Sequence, residues 1–453
     1  MRRRTFLTTS AFGAAAVLSG YAQTPKRRTT GPNEKLSHAC IGVGGMGNGD
    51  LKNYAAHPKS QVVAICDVDL NNLDGGAKIV PDARKYQDWR EMLEKEGDRI
   101  DSVSIAVPDH MHALMALHAI ARGKHVYCQK PLCHDVAECR ALADAAKKMG
   151  VVTQLGTQHA SGAGDRLGVH FLKQNAIGTL QKMILCSNRS GVGESRRRRS
   201  PNPQSKPPPD HLNWNLWVGT APMRDYADGY HPGKWRQWLD FGTGWSGDIG
   251  CHIFDAAWKG FDLTQPLSVQ AKVDEEWKNS PERRAQLWSS ANHITWTFAG
   301  IPQSGGKPFT MEWFDGAFYP PEDAQAYAKM AGFEKFPEEA LIVFGSEGAM
   351  LLPHTSGAIM LPKDKFASFE KPRIEPRNHY HHFLDAARGE AKNESFFERT
   401  GPMTETILLG TVAIRVPDTE LQWDAAGMKI TNSPEATKLL SRTYREGWEA
   451  PKI

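Results

Sequence analysis

Six residues constrain this chain more than any other feature. Gly42-Val43-Gly44-Gly45-Met46-Gly47 follows a short apolar run, His38 to Val43, and opens a stretch from Gly45 to Ala56 that can be helical. Glycines between a strand and a helix allow a tight turn and let a pyrophosphate reach backbone N–H groups at the helix N-terminus. Asp67 ends the next strand-like run, Gln61 to Cys66, and stands 20 residues past Gly47. That is the spacing of a carboxylate that accepts both hydroxyls of a ribose. An acid there repels a 2′-phosphate, so the pattern favours NAD over NADP. A glycine-rich turn without a ligand is the alternative.

The same rhythm continues downstream. Val103 to Val107 is strand-like, Pro108 opens a helix through Ala121, Lys124 to Tyr127 is a short strand, Asp135 to Met149 a helix, and Val151 to Leu155 another strand. Such alternation predicts an α/β, doubly wound parallel sheet over residues 35–160. Beyond Gly178 the pattern changes. Leu180 to Arg189 and segments 267–273, 291–299, 308–314 and 340–352 read as strands without regular intervening helices. An α+β domain with an open, mainly antiparallel sheet is expected over 161–453. Tryptophan marks the division: one (Trp89) lies before residue 201 and twelve after it. Between them, Arg196-Arg197-Arg198-Arg199 and the proline-rich stretch to Pro209 read as a solvated loop or an anionic-ligand patch.

Of the 453 residues, 40% are hydrophobic, enough for large cores. The net charge of +4 hints at acidic partners, but three of those charges are Arg residues within the first 22. Without them nucleic-acid binding loses its support. Arg3-Arg4-Thr5-Phe6-Leu7, the apolar stretch Ala11 to Leu18 and Gly20-Tyr21-Ala22 have the layout of a signal peptide over 1–22, too short to span a bilayer. The paired arginines resemble a twin-arginine signal, which is read by the export machinery and is no membrane anchor. Export places the protein in the periplasm or outside the cell. Residues 23–34 read as a polar linker. The seven Cys show no CxxC pair and are expected as free, mostly buried thiols.

Two further turns carry chemistry. Val107-Pro108-Asp109-His110-Met111-His112 and Tyr127-Cys128-Gln129-Lys130-Pro131 each sit after a strand, where a doubly wound sheet binds ligands. Asp109 can cap its helix, and the local pattern leaves His112 facing either cofactor or solvent. Lys130 beside a nicotinamide can donate to the oxygen being oxidised and stabilise alkoxide charge. In Gly242 to His252, a helix starting near Asp248 puts Asp248 and His252 on one face, as a base and its orienting carboxylate. The alternative is an N-cap and a core histidine. Metal binding lacks a third ligand at convincing spacing.

Together these motifs resemble the Gfo/Idh/MocA oxidoreductases, with Trp214 to Gly219 and Trp235-Arg236 similar to segments of exported members. The resemblance covers the chain from about Lys35 onward. It implies a cofactor site formed by Gly42, Gly44, Gly45, Met46, Gly47, Asp67, Val107, Pro108, His112, Gln129, Lys130, Trp235 and Arg236. It also implies catalysis by Lys130, Asp248 and His252, and an oligomer built through the second sheet. Gln129 departs from the family's Glu-Lys-Pro and removes a carboxylate that would hold the Lys130 ammonium. Trp238 and Trp245 are expected to line a sugar pocket, most other tryptophans to fill the sheet or an interface. The leading expectation is an exported NAD-dependent oxidoreductase acting on a secondary hydroxyl of a sugar, glycoside or cyclitol. The runner-up is an NAD-retaining glycoside hydrolase that oxidises its substrate transiently. A carbohydrate-binding protein on a retired enzyme scaffold is the third reading.

Overall fold

Leu36–Ile41 (β1) is the buried centre of a six-stranded, all-parallel sheet, and hydrogen-bonds Ser60–Cys66 (β2) on one side and Ser102–Ile105 (β4) on the other. In this computed structural model, which describes residues 34–453, Arg84–Tyr86 (β3) forms one edge, and His125–Cys128 (β5) and Thr153–Leu155 (β6) complete the order β3-β2-β1-β4-β5-β6. The signal (1–22) and nearly all of the linker (23–34) expected from the sequence lie outside the described residues. Strand order reverses between β1 and β4, which opens a crevice at the carboxyl ends of those two strands. Register aligns those ends. Ile41 pairs with Cys66 and Ile105, Ile105 with Cys128, and Cys128 with Leu155. The loops beginning at Gly42, Asp67, Ala106 and Gln129 therefore stand in one row.

The second sheet has nine strands: Leu180–Ser187 (β7), Ser268–Val273 (β8), Asn292–Phe298 (β9), Phe309–Asp315 (β10), Glu339–Gly345 (β11), Ala349–Pro353 (β12), Ile359–Leu361 (β13), Leu421–Asp424 (β14) and Lys429–Ile430 (β15). Their order is β13-β12-β11-β7-β10-β9-β8-β14-β15, and among these pairs only β7 and β10 run parallel. Period-2 burial is clearest in β9. Ile294, Trp296 and Phe298 face the core, while His293, Thr295 and Thr297 face a half-exposed polar side. Helices Gly244–Phe261 and Phe397–Arg415 cover the inner face, and the latter also packs on the first domain's helix Val136–Met149, so one apolar core runs through both sheets. Trp296 donates its indole N–H to Thr406 O at 2.8 Å, and a Cβ at Gly410 would stand 2.5 Å from that ring.

Three expectations need correction. Residues 340–352 form a hairpin, not one strand, because Ser346-Glu347-Gly348 turns the chain between two equally apolar arms. Helix Glu322–Ala331 does intervene between β10 and β11. The arginine run is only partly solvated. Arg196 ends up buried on a short helix, Val192–Arg197, where Nη2 reaches Asp315 Oδ1 at 3.2 Å and Ser290 O at 3.0 Å. Arg197 and Arg198 stay exposed and pair with Glu194. The seven cysteines are all free and buried, as expected. Among the described residues no helix is long and apolar enough to cross a membrane.

Candidate active site

Gly42 and Gly47 are required sterically. Gly42 has φ +81°, and a Cβ there would lie 2.2 Å from Ala106 O; one at Gly47 would lie 2.1 Å from Gly42 O. The turn can close against β4 only without side chains. Gly44 sits against the Asn72 side chain, and Gly45 and Met46 border open space, Met46 being 58% exposed. The helix Met46–Ala56 has no capping side chain and no acid in its first turn. Its leading N–H groups are thus suited to a pyrophosphate. Asp67 accepts from Val43 N and Asp69 N, both at 2.9 Å, which fixes its carboxylate beside the turn. Burial pushes its proton affinity up against those hydrogen bonds. These residues fit a dinucleotide.

Across the crevice, Val107 and Pro108 lead into helix Asp109–Ala121. His112 does not face the cofactor side freely. It is buried, with Nδ1 2.7 Å from Pro131 O and Nε2 2.8 Å from Val107 O. It ties the Pro108 turn to the Lys130-Pro131 turn, and burial pushes it down to about 4, so the neutral ring donates to one carbonyl only. Asp109 is more than a cap. Its Oδ2 accepts from Thr243 N at 3.1 Å and Thr243 Oγ1 at 2.8 Å, and burial, reinforced by the Asp248 charge, pushes it up to about 7.

Lys130 is the centre of the arrangement. Its ammonium donates to Asp248 Oδ1 at 2.5 Å and to Asp248 O at 2.9 Å. Asp248 therefore provides the carboxylate that Gln129 lacks. Its Oδ2 lies 3.1 Å from Arg236 Nε, and Arg236 stands over the Trp235 ring at 4.3 Å. Burial raises the Asp248 proton affinity, but the two cations outweigh it and hold the carboxyl below its ordinary range. The expected Asp248–His252 pair is not formed: both residues lie on helix Gly244–Phe261, but both carboxylate oxygens face cations. His252 Nδ1 is buried without a partner, and burial together with nearby Lys130 holds the ring neutral. The ring stacks on His354 at 5.2 Å, and His159 completes the group at 5.8 Å from His252.

The two substrate tryptophans separate. Trp238 is 1% exposed, donates to Gly229 O at 2.9 Å and packs on Tyr230, so it belongs to an aromatic core and lines no sugar pocket. Trp245 donates to Ser187 and borders a cavity of about 800 Å³ shared with Arg189, Arg196 and Tyr319. Sequence reasoning missed Asp50, which accepts from Gln129 Nε2 at 2.7 Å. Its signal was present: Gly47, Asp50, Leu51 and Tyr54 form the buried stripe of their helix, and an acid in such a stripe needs a partner. It also missed His159, His354 and Glu339, which lie far apart in the chain. Among the described residues no group of three or more His, Cys, Asp or Glu is arranged to hold a metal.

Residues 36–157 match the model of an oxidoreductase family with an NAD-binding Rossmann fold, and residues 198–298 match that family's C-terminal alpha/beta domain. A glycosyl hydrolase family 109 protein of Shewanella pealeana is 28% identical over 40% of this chain and 44% of its own length. A levoglucosan dehydrogenase of Pseudarthrobacter phenanthrenivorans is 26% identical over 49% of this chain and 50% of its own. The chain thus spans half or less of these relatives. The WlbA dehydrogenase of Bordetella pertussis, solved with NADH and UDP-GlcNAcA, shares the fold at TM-score 0.59 and 14% identity, over 86% of this chain and 99% of that one.

Proposed function

Because the chain belongs to the Gfo/Idh/MocA oxidoreductase family, we propose that it is an exported, NAD-dependent enzyme acting on a secondary hydroxyl of a sugar, glycoside or cyclitol. The observation that carries this reading is the Lys130–Asp248–Arg236 array placed in the same row of strand ends as the glycine turn and Asp67. Gly42, Gly47 and the bare helix N-terminus hold the pyrophosphate, and Asp67 takes the ribose. The bound dinucleotide supplies the hydride acceptor. Lys130 donates to the reacting oxygen, and Asp248 keeps the ammonium aimed while Arg236 balances the carboxylate. Neutral His252, with a free ring nitrogen, is placed to accept the hydroxyl proton. Buried Trp235 backs the Arg236 guanidinium and excludes water from that side of it.

The twin-arginine-like start, Arg3-Arg4-Thr5-Phe6-Leu7, supports export of a folded, cofactor-loaded protein to the periplasm. Little free NAD is present there, so the cofactor is retained between turnovers. The half-exposed polar face of β9 and its neighbours is the surface proposed for a homo-oligomer. A second reading, transient oxidation in the service of glycoside hydrolysis, is favoured by His354, an imidazole oriented by a carboxylate and stacked beside His252. The test begins with purified protein, denatured and assayed for released nicotinamide. The native protein is then mixed with sugars and aryl glycosides. Accumulating keto-sugar supports the oxidoreductase, free aglycone without net redox supports the hydrolase, and neither product with any substrate refutes both.

A further inference from the structure

The site holds one imidazole that a carboxylate orients, and it is not His252. His354 follows β12, and Glu339 opens the neighbouring β11; the antiparallel register places them side by side, with His354 N donating to Glu339 O at 2.8 Å. His354 Nδ1 lies 2.9 Å from Glu339 Oε2. Since a carboxylate accepts only, Nδ1 carries the hydrogen and Nε2 is left as the basic nitrogen. That Nε2 is buried and has no partner, like Nδ1 of His252 on the ring stacked against it. Leaving either nitrogen unpaired costs about 1–3 kcal/mol, and the two lie on adjacent, stacked rings. Their arrangement suits a ligand that offers two groups at once.

Glu339 is itself fixed. Ser187 Oγ donates to it at 2.7 Å and Arg189 Nη2 reaches both of its oxygens at 2.8 Å. Burial favours its protonated form, but hydrogen bonds from His354, Arg189 and Ser187 bring it down to about 2, so it stays ionised. Asp248, by contrast, is engaged with Lys130 and Arg236 and orients no histidine. The candidate site therefore has two separate acid–base pairs, Lys130 with Asp248 and His354 with Glu339, and His252 stacks on His354.

We propose that His354, positioned by Glu339, is a second base that moves the proton on the carbon next to the carbonyl of a keto-glycoside. The inference deepens the proposed function and rests on it for the origin of the keto-glycoside. A carbonyl acidifies the neighbouring C–H. That bond breaks, its electron pair forms the enolate, and the proton goes to His354 Nε2, where the Glu339 carboxylate balances the new charge. When a glycosidic oxygen is attached to the next carbon, the enolate pair expels it, the C–O bond breaks, and the oxygen takes a proton from water. Return of the proton to carbon reverses the first step. Glu339 acts through His354 and is a positioning residue.

The experiment supplies a 3-keto-glucoside directly, in D2O, and follows deuterium at the adjacent carbon by NMR. The full chain with its bound nicotinamide catalyses exchange. His354→Gln slows exchange by about 100-fold or more, the lower range for a lost general base. Glu339→Gln lowers the exchange rate with KM held within about twofold, and Glu339→Asp restores part of the rate. The melting temperature and the amount of bound nicotinamide show that each variant is folded, and His354→Asn serves where the Gln variant is not. No exchange by the wild type, or exchange within about threefold of wild type in a folded His354 variant, overturns the assignment. Wild-type exchange of the keto-glycoside, with no reduction of bound nicotinamide by any parent sugar, would overturn the proposed function and leave this assignment standing.

Discussion

Gln129→Glu installs the family's usual carboxylate and should damage this chain. The Gln129 amide donates to Asp50 Oδ2 at 2.7 Å with both side chains buried, and burial has already pushed Asp50 up to about 6. Two ionised carboxylates about 3 Å apart repel by about 5 kcal/mol at an effective dielectric of 20. Keeping one proton on the introduced carboxyl at pH 7, against an ordinary value near 4.3, costs about 4 kcal/mol. The second route costs less, so the pair holds a proton. The folded variant then binds one proton more than the unfolded chain, and stability falls as pH rises. The expected loss is about 4 kcal/mol at pH 7 and about 1 kcal/mol at pH 5. Asp50→Asn in the same chain gives the introduced carboxylate a donor and removes most of that loss. Urea unfolding of wild type, single and double variants at the two pH values measures it. Equal losses at pH 5 and 7, or a double variant no more stable than the single, would rule out a proton held between residues 50 and 129.

Other outcomes follow from the same geometry. Gly47→Ala forces a Cβ to within 2.1 Å of Gly42 O, so the turn opens and the protein is purified without nicotinamide, as read by absorbance after denaturation. Trp238→Ala removes a fully buried ring and costs about 3–5 kcal/mol in urea unfolding, while the KM for sugar stays near that of wild type. Asp109, raised to about 7, contributes stability that is fully present below its unfolded value of 3.8 and is lost as pH rises through 7. Asp109→Asn should therefore flatten the decline in denaturation midpoint between pH 4 and 8.

The parallel sheet was legible because the glycine turn, Asp67 and the apolar runs obey local rules, each written within about 20 residues. β3 was not, since Arg84-Lys85-Tyr86 is an edge strand with no buried face to leave a pattern. Helix Phe397–Arg415 was equally hidden: it is buried on nearly all sides and carries Pro402, so no amphipathic stripe marks it. Within the site, Lys130, Asp248 and Arg236 were found by position, but their pairing was not. Register between distant segments decides it, as it decides that Glu339 meets His354 and that Asp50 meets Gln129. Trp238 shows the converse error, where nearness in sequence to Asp248 suggested a pocket and the ring turned into an aromatic core.

On the proposed function, nicotinamide held by the 42–47 turn and Asp67 exchanges a hydride with a sugar placed against Lys130. Absorbance at 340 nm tests it directly when native protein is mixed in a stopped-flow instrument with sugars and glycosides, without added NAD. The expected result is a rise stoichiometric with protein, transient or lasting, that Lys130→Ala slows by at least about 100-fold. A rise that is unaffected by Lys130→Ala, or no rise with any sugar from protein shown to carry nicotinamide, would contradict it.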